Sequence, residues 1–472
     1  MPFARQGETN RMASISKNSM AQDLTRGRIF TIMIRLAIPI TLSNLLQTVY
    51  SMVDMIVVGQ YEGSAGLSAV TVSSQVIMLM TMFVMGFTSA GQVLISQQVG
   101  AEDHAGMKKA IGTLFTSVAA IAVIMTVVGL TLYGPMLQLL NVPEESFKQA
   151  SQYMIICSAG IVFTYGYNTV SAILRGMGDA KRPFIFIAIA SVLNVVLDLL
   201  FVGPMGMKAA GAALATVVAQ AISFIISIAY LYRHRSQFGF DFKPKSFCTD
   251  MNVLKILFKL GFPMAIQHSA ISISMLFVNG FVNVYGLVAS ATFGVGRRVE
   301  MIPNMLTQSI MMVASTMIGQ NIAAGEVKRS KSTVYCALLI NTCVSIVVFI
   351  AFVLWPRQIF SIFTQDTDVL NMAALFMSTA LIGIPARCLM HAFAPFIQGI
   401  GNARLNLILG LSDGVVARIG LCLLLERVAG LGMYGLFLGY CLATYVTAIP
   451  SVVYFFSGAW KKRKLLVSNL KQ

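Results

Sequence analysis

The chain is a succession of long apolar stretches separated by short polar breaks. Each runs for roughly 20 to 30 residues, enough for a helix to cross a hydrocarbon core about 30 Å thick. Lipid offers backbone N–H and C=O groups no partner, so each stretch must satisfy its own hydrogen bonds, which a helix does. A transmembrane barrel would show alternating segments of about ten residues, and the sequence has none. The pattern predicts crossing helices over 29–59, 67–98, 109–133, 151–174, 183–204 and 209–232, then over 252–284, 288–319, 332–355, 370–400, 405–426 and 431–457. Composition agrees: 57% of 472 residues are apolar and 11% charged, whereas a soluble domain carries about 25% charged residues.

A formal charge of +16 would suit a nucleic-acid binder, but its placement excludes one. With the N-terminus assigned to the cytoplasm, 25 of 34 Lys and Arg fall in inner segments, and four (Lys148, Lys208, Arg357, Arg427) fall in outer loops. That asymmetry orients a multi-pass protein with both termini cytoplasmic. The polar tail 1–28 and a first span longer than a signal h-region argue against cleavage, and Met12 and Met20 are alternative starts to Met1. The seven cysteines form no C-x-x-C pair and read as small packing residues, with no disulfide or structural metal implied.

The plan occurs twice, at a shift of 223–224 residues. Leu36-Ala-Ile-Pro-Ile recurs as Leu260-Gly-Phe-Pro-Met, pairing Pro39 with Pro263, and Tyr61 recurs as Tyr285. Gln97-Gln-Val-Gly-Ala-Glu matches Gln320-Asn-Ile-Ala-Ala-Gly. Leu174-Arg-Gly-Met-Gly-Asp-Ala matches Ile397-Gln-Gly-Ile-Gly-Asn-Ala, and Gly206-Met-Lys-Ala-Ala-Gly is echoed by Gly430-Leu-Gly-Met-Tyr-Gly. Six spans is an even number, so the halves share one orientation, with a binding site expected between them. The reading is an N-tail 1–28, an N-lobe 29–232, a linker 233–251, a C-lobe 252–457 and a basic C-tail 458–472. Both lobes are all-α and pseudo-symmetric.

Ionisable side chains inside spans are functional suspects. In the first half these are Asp54 in span one and Asp198 in span five, with Asn194 one turn before Asp198 on the same face. At about 1.5 Å per residue, Asp54 lies roughly 28 Å from Arg35 and Asp198 roughly 22 Å from Pro183, so both fall in the outer half of the bilayer. Two carboxylates with an amide form a site for H⁺ or Na⁺, to which Thr216 could add a hydroxyl. Read singly, Asp54 is as well explained as a carboxylate wetted by the interface, Asp198 as a structural hydrogen-bonder and Thr216 as packing.

The second half differs. Val278 stands where Asp54 would be, and Leu421 or Cys422 opposes Asp198. Arg297 and Glu300, at i,i+3 spacing, are expected to neutralise each other. Arg298, Arg387, Asp413 and Arg418 add charge. Gln267 and His268 lie early in span seven, the histidine read as a hydrogen-bonded structural one. Gln47, Tyr50, Gln267, His268, Arg298, Glu300 and Arg387 are the candidate cavity lining. The 29 methionines, with runs in Met78–Met85 and Met301–Met317, suit a promiscuous surface or core filling. Pro39, Pro263 and Pro385 fall inside spans, and Pro39 is the candidate hinge. No G-x-x-x-x-G-K-[ST], HExxH or G-x-S-x-G occurs, so the expectation is a non-enzyme without cofactor, driven by H⁺ or Na⁺.

Taken in order, Val53-Asp-Met-Ile-Val-Val-Gly, Leu174-Arg-Gly-Met-Gly-Asp-Ala, Leu193-Asn-Val-Val-Leu-Asp and Lys259-Leu-Gly-Phe-Pro resemble the multidrug and toxic compound extrusion (MATE) family, over residues 25–458. The resemblance, in its DinF-like bacterial branch, implies two lobes in a V in the bacterial inner membrane. It also implies export of organic, often cationic, drugs against H⁺ or Na⁺. The cation site it implies matches Asp54, Asn194, Asp198, Thr216 and the amide Asn168. A C-lobe acid site used by another branch finds Ile271 and Arg387 here, which throws coupling onto the N-lobe. A monomer is expected, since each lobe pair encloses its own cavity. The alternative is a flippase for lipid-linked or anionic precursors, for which Arg297, Arg298, Arg387 and Arg418 would suit a phosphate. A membrane-embedded enzyme would need converging polar groups in both lobes, and a receptor would need longer outer loops.

Overall fold

A computed structural model describes residues 20–463 together with 465 and 466. Met1, Met12 and the rest of the tail up to residue 19, and most of the expected C-tail beyond Arg463, lie outside the described residues. Among those described, regular structure is helical with no strand. The long helices are α1 (Ile29–Gly100), α2 (His104–Leu139), α3 (Glu144–Gly176), α4 (Lys181–Val202), α5 (Lys208–Arg233), α6 (Met251–Asn283), α7 (Leu287–Ala323), α8 (Val327–Leu354), α9 (Thr367–Gly399), α10 (Ala403–Val428) and α11 (Gly432–Ser457).

Nine of these are long and apolar enough to cross a membrane by length and composition. At 72 residues, α1 has more than three times the roughly 20 residues one crossing needs, and it turns at Gly63, where φ is 64° and ψ −150°. Its two arms, with the longer but more polar α3 and α7 of 33 and 37 residues, accommodate the twelve expected crossings. The matching turn between α6 and α7 is made by Gly286 at φ 91°. Only glycine adopts these backbones without strain.

The apolar pattern leaves 60–66 unassigned, yet all of it but Gly63 is helical. Polar partners hold this tip: Glu62 pairs with Lys208 at 3.2 Å and accepts from Gln149 at 3.4 Å. In the second half, α10 is interrupted by π-helical turns at Ser412–Ala417 and Leu424–Val428.

Outward faces are apolar: Val123, Val192, Val347 and Val416 are 62%, 67%, 68% and 71% exposed. In water such surface drives association, whereas in lipid it meets its own kind. Inside, one apolar cluster fills the first half and takes in Val253, Leu257, Leu260 and Met264 from the start of α6. A second joins Met33, Leu36, Ala37 and Ile40 from the start of α1 to Ile310, Ala314 and Met317 of α7. Each half therefore sends the first turns of its leading helix into the other's core. The third cluster contains only residues of the second half, so the halves join at the end where the basic segments lie and have separate cores at the other.

Glycine permits the closest approach across this joint. A Cβ on Gly86 would lie 2.2 Å from the backbone nitrogen of Ala265, and one on Gly100 2.1 Å from the carbonyl oxygen of Gln320. Gly86→Val must push α1 off α6. It is expected to lower the melting midpoint of the purified protein, whereas Gly134→Ala and Gly280→Ala, which face open space, leave it unchanged; differential scanning fluorimetry in detergent tests this.

The linker is pinned beneath the first half by Lys108–Asp241 at 2.9 Å and Lys109–Asp250 at 3.1 Å, and its own Phe238, Phe240, Phe242 and Phe247 pack edge to face. Bonds from Lys108 and Ser246 hold the Asp241 carboxyl well below the usual carboxylate range. A depressed acid stabilises at every pH above its unfolded value and releases only as pH falls through the depressed one. Tryptic cleavage after Lys245 is therefore expected to be slow at both pH 7 and pH 5 for a pH-tolerant protease of the same specificity, and faster in Asp241→Asn at both.

Candidate functional site

Three helices of the first half each contribute a polar pair one turn apart: Tyr50 and Asp54 from α1, Asn194 and Asp198 from α4, Thr216 and Gln220 from α5. Spacing of i,i+4 puts both members of each pair on one face, and the three faces meet. Thr216 Oγ1 donates to Asp54 Oδ2 at 3.2 Å, and Asn194 Nδ2 donates to Thr216 Oγ1 at 3.4 Å. One turn away, Gln220 Nε2 donates to the Tyr50 hydroxyl at 3.5 Å. Asp54 and Asp198 are 5% and 0% exposed, and Asp198 lies one turn along from the Asn194 that reaches Thr216, the partner of Asp54.

Four buried acceptor oxygens in this cluster, Asp54 Oδ1, both of Asp198 and Asn194 Oδ1, take no hydrogen bond from any described residue. Two adjacent buried carboxyl groups cannot both stay charged without a compensating cation, because desolvation and repulsion act together. The donor set is oxygen throughout, the chemistry of a proton or a hard cation. A small cavity lined by Tyr50, Ala190, Asn194, Thr216, Ala219 and Gln220 opens beside it.

Other expected residues fall elsewhere. Asn168 is not hydrogen-bonded to the cluster; its amide donates to Thr164 O on its own helix at 2.9 Å. Gln47 is half-buried with no side-chain hydrogen bond among the described residues. The helix runs through Pro39 with helical dihedrals, and the Ser43 hydroxyl donates to the Pro39 carbonyl at 2.8 Å. Gln220 escaped the sequence reading, although its spacing from Thr216 marks it.

In the second half the charges pair differently from expectation. Glu300 does not take Arg297; it meets Arg387 of α9 at 2.8 Å, and Tyr440 lies at 3.5 Å from its other oxygen. Arg297 instead lies over the Phe293 ring, 5.9 Å from its centroid. The reason is burial: Glu300 faces the interior, where a guanidinium from a neighbouring helix reaches it more directly than one three residues along its own. Asp413 and Arg418 pair at 2.9 Å. Five residues along an α-helix turn about 140° off one face, but the widened turn at Ser412–Ala417 brings them into line. His268 is not hydrogen-bonded as expected, since its ring has no partner among the described residues. Gln267 accepts from Asn406 at 2.7 Å, and Arg298 is exposed.

A family model, MatE, matches residues 39–200 and then 263–424. The chain belongs to the MatE family. The MatE pattern thus fits twice, and the two matches begin at the prolines that pair in the internal repeat. A probable multidrug resistance protein of Bacillus subtilis (strain 168), YpnP, is 28% identical over 450 residues, covering 95% of this chain and 100% of that protein. A second, YoeA, is 26% identical and covers 91% and 93%. A solved MATE structure in the bent conformation superposes with a TM-score of 0.87 at 23% identity, over 93% of this chain and 98% of that one.

The chain is therefore a multi-pass membrane transporter with the two-lobed MatE fold. Its halves are unequal in chemistry: the positions matching Asp54 and Asp198 are Val278 and Cys422, which lie in one apolar cluster. The second half balances acid with base, where the first sets acid against acid. Arg387→Met would leave Glu300 buried and unpaired. It is expected to destabilise by about 3–5 kcal/mol, with Glu300→Gln added to Arg387→Met recovering most of the loss in unfolding assays.

Proposed function

We propose that this MatE transporter exports organic, often cationic, compounds by antiport against H⁺ or Na⁺, with coupling through the carboxyl pair Asp54–Asp198. The four buried oxygens without donors carry this reading. Asn194 and Thr216 orient the pair and supply further oxygen ligands, and Asn168 lies outside the working set. Binding of the cation draws α1 towards α4 and α5 and bends it near Pro39, where the missing N–H already weakens the helix. The N-lobe 29–232 and the C-lobe 252–457 then rock about their joint, passing cargo between them by alternating access.

The charge asymmetry supports a multi-pass place in a bacterial inner membrane with both tails, 1–28 and 458–472, cytoplasmic. The protein works as a monomer without cofactor and does no chemistry on its cargo. Relatives named as multidrug resistance proteins support the cargo class. A second reading, export of lipid-linked or anionic precursors, is favoured by Arg297 and Arg298, which have no acid partner among the described residues. It is weakened because Arg387 and Arg418 are neutralised by Glu300 and Asp413.

Ethidium efflux from cells lacking their own pumps is the test. Wild type is expected to expel the dye, Asp54→Asn and Asp198→Asn each to fall to the empty-vector level, and comparison with and without Na⁺ to name the ion. Normal efflux in both variants would end the coupling assignment. No efflux from well-expressed wild type would favour the phosphate-bearing cargo.

A further inference from the structure

The repeated motifs at the basic end are not used by the cation site, and they form a paired device. Gln97 and Gln320, equivalent in the two halves, each reach across the joint. Gln97 Nε2 donates to Gly399 O of α9 at 2.8 Å, and Gln320 Nε2 donates to Gly176 O of α3 at 3.3 Å. The acceptors are themselves repeat equivalents, each three residues before the cap, Asp179 or Asn402, of the next helix.

Each glutamine spends its remaining oxygen on a chain terminus. Gln320 Oε1 accepts from Leu24 N at 3.0 Å, and Gln97 Oε1 accepts from Leu466 N at 3.1 Å. The two leucines are 2% and 8% exposed. They rest on equivalent turn glycines: Leu24 would meet a Cβ on Gly178 at 3.2 Å, and Leu466 one on Gly401 at 2.7 Å.

The described segments next to both termini straddle the joint. The N-terminal segment is tied to the first half by Met20 N to Gln237 O and Gln22 N to Met177 O, each at 2.8 Å. It is tied to the second half by Arg329, whose guanidinium donates to Leu24 O, Arg26 O and Gly27 O. The C-terminal segment is held to the second half by Arg463 donating to Gly401 O at 3.2 Å, and to the first by Gln97. The halves cannot part at this end while both segments stay seated.

We propose that residues 20–28 and the described C-terminal residues Arg463, Leu465 and Leu466 are two matched latches that hold the basic end of the joint closed, and that Leu24 and Leu466 must leave their seats before it opens. The device rests on the alternating-access reading. Its strength is adjustable, because each latch is a handful of individually weak hydrogen bonds and one leucine.

The test is alkylation by N-ethylmaleimide of the intact protein in nanodiscs, followed by mass spectrometry. Ser96→Cys is the reporter, since Ser96 is 0% exposed and faces Gly319 across the joint. Cys248, Cys336 and Cys343 are replaced by serine, and buried Cys157 and Cys422 remain as markers of general unfolding. Arg329→Ala and Leu466→Ala together are expected to speed reporter alkylation about tenfold, with each alone intermediate and both markers unchanged. Equal reporter rates with and without the latches would overturn the proposal. A rise in the markers alongside the reporter would overturn it too, making the segments stability elements only. A reporter that stays inert in every variant would refute alternating access itself, which separates that failure from failure of the latches.

Discussion

Lipid accepts no hydrogen bond and donates none, and every polar group in this protein is placed by that fact. It makes the backbone helical. It also decides where polar side chains can go: inwards, in sets, with the partners carried by neighbouring helices. The first half solves this with three i,i+4 pairs whose faces converge on Asp54 and Asp198. The second half solves it with two ion pairs and the Tyr440 hydroxyl. A carboxyl group that faces another carboxyl asks for a mobile cation, whereas one that faces a guanidinium has a tethered cation already. Two copies of one plan therefore diverge, one placing acid against acid and the other acid against base.

The division fits the mechanics. The half with the carboxyl pair contains the arm of α1 that runs from the joint through Pro39 to Asp54, and the other half carries Pro263 at the matching place. The balanced half has a cluster of aromatics, Phe293, Phe376, Phe437 and Tyr440, packed mostly edge to face around its buried charges. Movement is then expected in the first half and rigidity in the second.

Much of this was legible in the chain. Span length and charge asymmetry carry the membrane architecture, since both follow from bilayer thickness and side-chain solvation alone. The internal repeat carries the two lobes. The meeting of Asp54, Asn194, Asp198 and Thr216 was readable because depth along a helix is simple arithmetic. Partner choice in the second half was not. Glu300 lies within reach of Arg297 on its own helix, and only packing shows that Arg387 comes closer. Asp413 and Arg418 were invisible as a pair, because α-helical spacing sets them on different faces. Asn168 shows the opposite failure, a matching residue type whose amide turns back to its own backbone. Gln97 and Gln320 were noticed as a repeat without a reason, since their partners lie between 144 and 369 residues away.

The widened turn at Ser412–Ala417 sets a charge and its neutraliser on one helix. An α-helix advances about 100° per residue, which would point Asp413 and Arg418 about 140° apart. The π-helical turn winds more slowly, and the guanidinium reaches the carboxyl at 2.9 Å. Glu300 and Arg387 sit on two helices and stay paired only while those helices keep their places. Asp413 and Arg418 travel together, so sliding of one helix past another leaves their charges cancelled.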